Sequence, residues 1–164
     1  MLNTAEELGA ERILEIGAGK GLTSIAFALA RPQARITAIE RDAARAVAAR
    51  ANFAQFGVSD RIDFLEGDAA EVLPCLQGPF DLIFLDAAKV QYRRFLPDCK
   101  RLLKEGGVLF SDDVLLFGHG VPPKRRMLAA HIAEYLDRLA ADADFTTEIL
   151  HCGMGLAVSR KGKA

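Results

Sequence analysis

Short apolar runs alternate along this chain with longer stretches whose apolar positions recur every three or four residues. The first run, Ile13-Leu14-x-Ile16, has the length and character of a buried strand. Leu22 to Ala30 is apolar and alanine-rich and predicts a helix, with Pro32 marking the turn behind it. Arg35 to Ile39 predicts a second strand, ending at Glu40. Ala43 to Phe56 is a second helical stretch, stopped by Gly57. Ile62 to Leu65 is a third strand, and Ala69 to Leu76 a short helix closed before Gly78-Pro79. Phe80 to Leu85 is the most apolar run, which makes it the central strand. Tyr92 to Leu103 is helical and ended by Glu105-Gly106-Gly107; Val108 to Ser111 is the fifth strand. Residues 1–11 form a short helix or arm, with Asn3 or Thr4 as its cap.

Strands and helices in strict alternation imply a parallel sheet with helices on both faces. The tail breaks the pattern. Lys124 to Ala140 is one amphipathic helix with Met127, Ile132, Tyr135, Leu136 and Leu139 as its inner stripe. Phe145 to Leu150 and Leu156 to Ser159 are strands separated only by Cys152-Gly153-Met154-Gly155 and its flanks. No crossover helix fits in that gap, so the pair is an antiparallel hairpin. The expected fold class is α/β, doubly wound, with five parallel strands and a C-terminal antiparallel hairpin.

Composition narrows the function classes. A chain of 164 residues is expected to form a single domain, spanning 1–164, and 51% hydrophobic residues exclude disorder. With 21 basic and 22 acidic side chains, the net charge of −1 argues against a nucleic-acid or membrane-surface partner. Cys75, Cys99 and Cys152 are far apart and offer neither a disulfide framework nor a zinc site. Glu6, Glu7 and Glu11 stand where a signal peptide would be apolar, and no run approaches the ~18 residues of a membrane span. The expected compartment is the reducing cytoplasm.

Chemistry starts at the turn after the first strand. Gly17, Gly19 and Gly21 alternate there, ahead of a helix, so the backbone can turn sharply and approach a ligand. A dinucleotide fingerprint needs a glycine where Leu22 stands, and a phosphate loop needs Ser or Thr where Gly21 follows Lys20. What remains is Glu15-x-Gly17-x-Gly19-x-Gly21, with an acid two residues before the first glycine. This resembles the first motif of S-adenosylmethionine-dependent methyltransferases, a Rossmann-like fold of the class I type in which a parallel sheet ends in a hairpin.

In an open α/β sheet, ligands bind beyond the carboxyl ends of the strands. Glu15, Glu40, Asp68, Asp86, Asp112 and Asp113 all lie at or near those ends. Single acids there commonly cap the next helix; this many on one edge exceed what capping requires. Glu40 lies 23 positions after Gly17, where an acid grips ribose hydroxyls, although Asp42 is the better helix cap. Asp86, Asp112 and Asp113 flank the centre of the sheet. Three carboxylates there repel one another unless a cation neutralises them. A hard divalent ion suits an all-oxygen set, Mg²⁺ first, with Mn²⁺ or Ca²⁺ as alternatives. Both neighbours, Asp112 and Asp113, reach one ion only if the chain leaves strand geometry there. Lys89, three residues past Asp86, reaches the same place.

Phe84-Leu85-Asp86-Ala87-Ala88-Lys89, then Tyr92, then Phe110-Ser111-Asp112-Asp113-Val114-Leu115 are similar to the cation-dependent O-methyltransferases, which include the catechol and caffeoyl-coenzyme A enzymes. The likeness runs from about Ile13 to Lys161. It implies that Asp86, Asp112 and Asp113 are metal ligands and that Lys89, with Asp86, is catalytic, Lys89 as general base. It implies that Glu15, Gly17, Ala18, Gly19, Thr23, Glu40, Asp68 and Ala69 line the S-adenosylmethionine site, with Asp86 also touching the ammonium of the cofactor. The implied acceptor is a small catechol-like hydroxyl compound, its two hydroxyls held by the cation.

The chain departs from the family pattern at several points. Asp113 replaces an Asn, Ala88 stands where bacterial members often carry a second Asp, and Met154 replaces an Asp. Leu116, next to Phe117, stands in place of a Trp that packs on aromatic acceptors. Only twelve residues precede Ile13, where the family has a longer helical segment over the site. A fragment, a short form, or another cover such as a homodimer partner would each account for that. Lys124-Arg125-Arg126 reads as a solvated helix start, with a docking patch for a phosphorylated acceptor as the alternative; His119 sits in a glycine-rich loop, where most histidines do not contact substrate; His131 and His151 lack ligand-like spacing. The competing readings are a non-catalytic S-adenosylmethionine-binding or interaction domain and, further off, an NAD-dependent dehydrogenase.

Overall fold

The computed structural model describes residues 1–115 and 125–162. Leu116, Phe117, His119 and Lys124 lie outside the described residues. The helices are α1 Leu2–Glu7, α2 Leu22–Ala30, α3 Ala43–Gln55, α4 Ala69–Val72, α5 Tyr92–Leu102 and α6 Arg126–Ala141. The strands are β1 Arg12–Ile16, β2 Arg35–Glu40, β3 Ile62–Glu66, β4 Phe80–Leu85, β5 Leu103–Asp112, β6 Phe145–Leu150 and β7 Leu156–Lys161. They form one sheet in the order β3-β2-β1-β4-β5-β7-β6, with β4 in the middle as its apolar run predicts. β1 to β5 pair in parallel; β7 runs antiparallel between β5 and β6. No helix among the described residues is long and apolar enough to cross a membrane.

Period-two alternation sends each strand's side chains into two cores. Leu14, Ile16, Ile83, Leu85 and Leu109 pack against α5 and α6 through Tyr92, Phe95, Leu96, Ile132 and Tyr135. Ile13, Ile36, Leu82, Phe84 and Phe110 pack on the other face against Ile25, Phe27, Ala49 and Phe53 of α2 and α3. The chain winds β1 to β3 outward on one side and resumes at β4 on the other. The reversal between β1 and β4 leaves a crevice at their carboxyl ends, and Gly17 and Asp86 are the residues that follow those two strands.

Four expectations need correction. Met1, not Asn3 or Thr4, occupies the N-cap of α1, and no side chain caps it. The short helix is α-helical only through Val72; Pro74 supplies no N–H for the ladder and Leu73–Cys75 tightens to a 3₁₀ turn. Glu105-Gly106-Gly107 does not end α5. Strand β5 begins at once with Leu103 opposite Phe80, and pairing resumes at Leu82 and Val108, so the glycines form a bulge within the strand. Asp81, the β4 residue at the bulge, takes Lys104 Nζ at 2.9 Å and the Glu11 and Arg12 N–H groups at 2.9 and 3.0 Å. Met127 is 73% exposed. The inner stripe of α6 runs instead through Leu128, Ile132, Tyr135, Leu136 and Leu139, at helical spacing from Leu128.

Candidate active site

The crevice between β1 and β4 opens into a cleft of about 700 Å³. Glu15, Gly17, Ala18, Gly19, Thr23, Glu40, Asp68, Ala69 and Asp86 all line it. The backbone explains why. Gly17 (φ 94°) carries the chain across the end of β4: a Cβ there would sit 2.2 Å from the Asp86 carbonyl oxygen. The Gly17 and Ala18 N–H groups both donate to Ile39 O at 2.9 Å, tying the turn to β2. Gly19 has φ 56° and nothing within 4 Å of where a Cβ would stand, so this part of the turn faces open space.

Glu40 is buried, and its carboxylate is held by main chain: Gly19 N–H donates to one oxygen at 2.7 Å and Asp42 N–H to the other at 2.8 Å. A carboxylate has about four lone-pair sites, so acceptor capacity remains for hydroxyls. The helix cap is Asp42, which accepts from Arg45 N–H at 2.9 Å. Asp68 does cap a helix, taking the Ala70 N–H at 2.8 Å, and also stands in the cleft wall.

Glu15 is only 2% exposed. Alternation places it on the face of Ile13, under α2, where the Ser24 hydroxyl donates to it. Burial, reinforced by the charge of Asp86, raises its carboxyl to about 7. The protonated acid is therefore the form favoured by folding. Stability is fullest below the ordinary value of 4.5 and is lost as pH rises through 7. The loss amounts to about 3 kcal/mol by linkage. Glu15→Gln is expected to melt about 5–10 °C above the wild type at pH 8, with the gap closing toward pH 5. Calorimetric melting curves across that range check it; a gap independent of pH would contradict it.

Asp86, which lines the cleft, converges with Asp112 and Asp113, which do not: one carboxylate oxygen from each lies within 4.8 Å of the others. Strand β5 ends at Asp112, and Asp113 takes φ 55°, so the chain leaves strand geometry where the two neighbours must face one point. Partial burial, then the charge of Asp113, raises the Asp112 carboxyl. Lys89 enters from a 3₁₀ turn, Lys89–Gln91, between β4 and α5. Its Nζ donates to Asp86 at 2.8 Å and to the Tyr92 hydroxyl at 2.9 Å, and lies 3.6 Å from Asp113. Burial, then the negative charge of Asp86, pushes the Tyr92 phenol far above its ordinary range. An all-oxygen set at this spacing fits one hard divalent cation. The open cleft, with carboxylates at both ends and a glycine turn between, fits a cationic amino-acid nucleoside.

Sequence reasoning missed Lys20, Arg41, Arg45, Ala88 as a wall residue, and Gln91, which also line the cleft. The signal for Arg41 and Arg45 was their place beside Glu40 and on the first turn of α3. His131 is half-buried on α6 and His151 exposed; neither lines the cleft. Ala88 leaves the position beside Lys89 without a fourth carboxylate, and Met154 is 46% exposed in the β6–β7 turn.

Comparison with known proteins agrees with this geometry. The O-methyltransferase family model matches residues 3–162. The catechol O-methyltransferase of Mycobacterium tuberculosis is 38% identical over 116 residues, 70% of this chain and 53% of that protein. The chain thus spans about half the length of that relative. A caffeoyl-CoA O-methyltransferase of Eucalyptus globulus is 32% identical over 167 residues, covering 94% of this chain and 68% of its own. An O-methyltransferase of Streptomyces achromogenes, solved in complex with S-adenosylmethionine, superposes with a TM-score of 0.89 at 27% identity, over 99% of this chain and 78% of its own. Fold, glycine turn and matched length lead to one conclusion: the chain belongs to the O-methyltransferase family.

Proposed function

We propose that this protein transfers a methyl group to a hydroxyl of a small, catechol-like acceptor with the help of one divalent cation. The observation that carries the reading is the convergence of Asp112 and Asp113 with Asp86 of the cleft wall, with Lys89 against them. When bound, S-adenosylmethionine supplies the methyl group and the cation makes the acceptor hydroxyls more acidic. The remaining work belongs to the chain. Asp86 presents a carboxylate to the ammonium end of the cofactor, and the buried Glu15 carboxyl lines the same cleft. Glu40, already fixed by Gly19 and Asp42, offers its free lone pairs to the ribose hydroxyls. Asp68 and Ala69 face the adenine end. Asp86, Asp112 and Asp113 would hold the cation, and Lys89 Nζ, once it has given up its own proton as the cation enters, is the group placed to take the proton from the reacting hydroxyl. Orientation of two reactants in one cleft contributes through lost freedom already given up on binding.

Titration calorimetry with S-adenosylhomocysteine and with NAD tests the cofactor assignment. The demethylated product is expected to bind with the higher affinity, and Glu40→Ala to weaken it by about tenfold or more, since a charge-assisted hydrogen bond contributes roughly 1.5–3 kcal/mol. Tighter binding of NAD, or indifference to Glu40→Ala, would overturn it.

A further inference from the structure

Tyr92 opens α5, is fully buried, and sends its hydroxyl back toward the end of the sheet. That hydroxyl accepts from Lys89 Nζ at 2.9 Å. It lies 2.9 Å from Leu85 O and 3.1 Å from Asp112 O, sharing its one proton between the two carbonyls. Leu85 immediately precedes Asp86, and Asp112 immediately precedes Asp113. The β4–β5 ladder stops at the pair Leu85–Ser111. Past that rung, no strand pairing fixes Asp86 against Asp112 and Asp113. The Tyr92 hydroxyl makes that connection and draws Lys89 into it.

We propose that Tyr92 is a positioning residue: its hydroxyl sets the separation of Asp86 from the Asp112–Asp113 pair and holds Lys89 Nζ against them. Packing alone does not call for the hydroxyl. The Tyr92 ring stacks edge-on against Tyr135 with centroids 5.3 Å apart, and a phenylalanine would keep that contact. Tyr135 uses its own hydroxyl on Ser111, one rung back, where the ladder already holds the strands. The two tyrosines thus separate a structural hydroxyl from one that reaches the carboxylate cluster. Groups that orient metal ligands from behind typically change metal affinity or activity by about 10–100-fold.

The proposal rests on the cation reading of the three carboxylates, and its test keeps the two apart. Mn²⁺ alone is titrated calorimetrically into the wild type, Tyr92→Phe, Tyr135→Phe and Tyr92→4-aminophenylalanine. Tyr92→Phe is expected to lose about tenfold in Mn²⁺ affinity, with S-adenosylhomocysteine affinity in the absence of metal changed by less than about twofold. Tyr135→Phe is expected to bind Mn²⁺ like the wild type, and the 4-amino variant, which restores a donor, to recover most of the affinity. If Tyr92→Phe does not fold, Tyr92→4-methylphenylalanine supplies the same comparison with the hydroxyl's volume filled. Wild-type Mn²⁺ affinity in the donor-less variants overturns the positioning role, as does an equal loss in Tyr135→Phe. A wild type that binds no Mn²⁺ overturns the cation reading and the proposal with it.

Discussion

Asp86→Ala is expected to lower methyl transfer by about 10³-fold or more, the scale seen when a preorganised charge is removed from a reacting centre. Three functions meet in this side chain. It is one of the three carboxylates within 4.8 Å, it holds Lys89 Nζ at 2.8 Å, and its charge is felt by Glu15 on the neighbouring strand β1. No neighbouring group duplicates it: Ala87 and Ala88 follow it in the chain. Its stability contribution is small by comparison. The Asp86 side chain is 43% exposed, and a solvated ion pair of this kind contributes roughly 0–1 kcal/mol. Removing one of three crowded carboxylates also relieves repulsion. The variant should therefore melt within a few degrees of the wild type while losing activity. Activity and melting point falling together would mean that Asp86 is a structural residue.

Gly17→Ala is expected to fail in the opposite way, through the fold. At φ 94° an L side chain is strained by about 1–3 kcal/mol. The added methyl would also meet Asp86 backbone, with O at 2.2 Å and C at 2.8 Å. Backbone cannot swing aside as a side chain can, so overpacking adds roughly 1–3 kcal/mol. Together these amount to about 4 kcal/mol, or a Tm roughly 10–15 °C lower for a domain of this size. Gly19→Ala is the informative contrast. Its φ of 56° carries the left-handed penalty of about 1–2 kcal/mol, but its methyl meets nothing within 4 Å. It should fold and lose cofactor affinity, because the methyl stands in the cleft. Thermal melts beside S-adenosylhomocysteine calorimetry separate the two effects; equal melting points for both variants would contradict the account.

Much of the fold was legible because its signals are local. Leu22–Ala30, Phe80–Leu85 and Phe145–Leu150 have the bounds their apolar patterns predict. The misreadings arise where one local signal serves two structures. Glu105-Gly106-Gly107 reads as a helix stop, yet the same glycines serve a bulge once Leu103 pairs with Phe80, a contact distant in sequence. Met127 and Leu128 are both apolar, and only the start of α6 at Arg126 and its packing decide which turns inward.

The acids were legible for a topological reason: in a doubly wound sheet the carboxyl ends of the parallel strands share one edge, so residues at or just past the ends of β1, β2, β3, β4 and β5 are brought together without knowledge of side-chain positions. Their partners were not legible. That Glu40 is clamped by Gly19 N–H, or that the Tyr92 hydroxyl bridges Leu85 and Asp112, depends on rotamers and on distances across the sheet that no spacing encodes. Arg41, Arg45 and Gln91 carry no motif: Arg41 enters the cleft wall from the β2–α3 turn, Arg45 from the first turn of α3 and Gln91 from a 3₁₀ turn.

The central claim is cation-assisted methyl transfer to a hydroxyl. Asp113, in place of the amide implied by the family resemblance, adds a negative charge that Lys89 meets at 3.6 Å. Asp113→Asn should therefore remain active, with its gain over the wild type greatest near neutral pH, where a less shielded cation acidifies the acceptor more. The most direct measurement follows label from methyl-labelled S-adenosylmethionine into a catechol, first with chelator and then with Mg²⁺ restored. The account predicts no labelled product with chelator and full recovery with Mg²⁺. Transfer at the same rate in chelator would contradict the cation site and leave Lys89 as the local base.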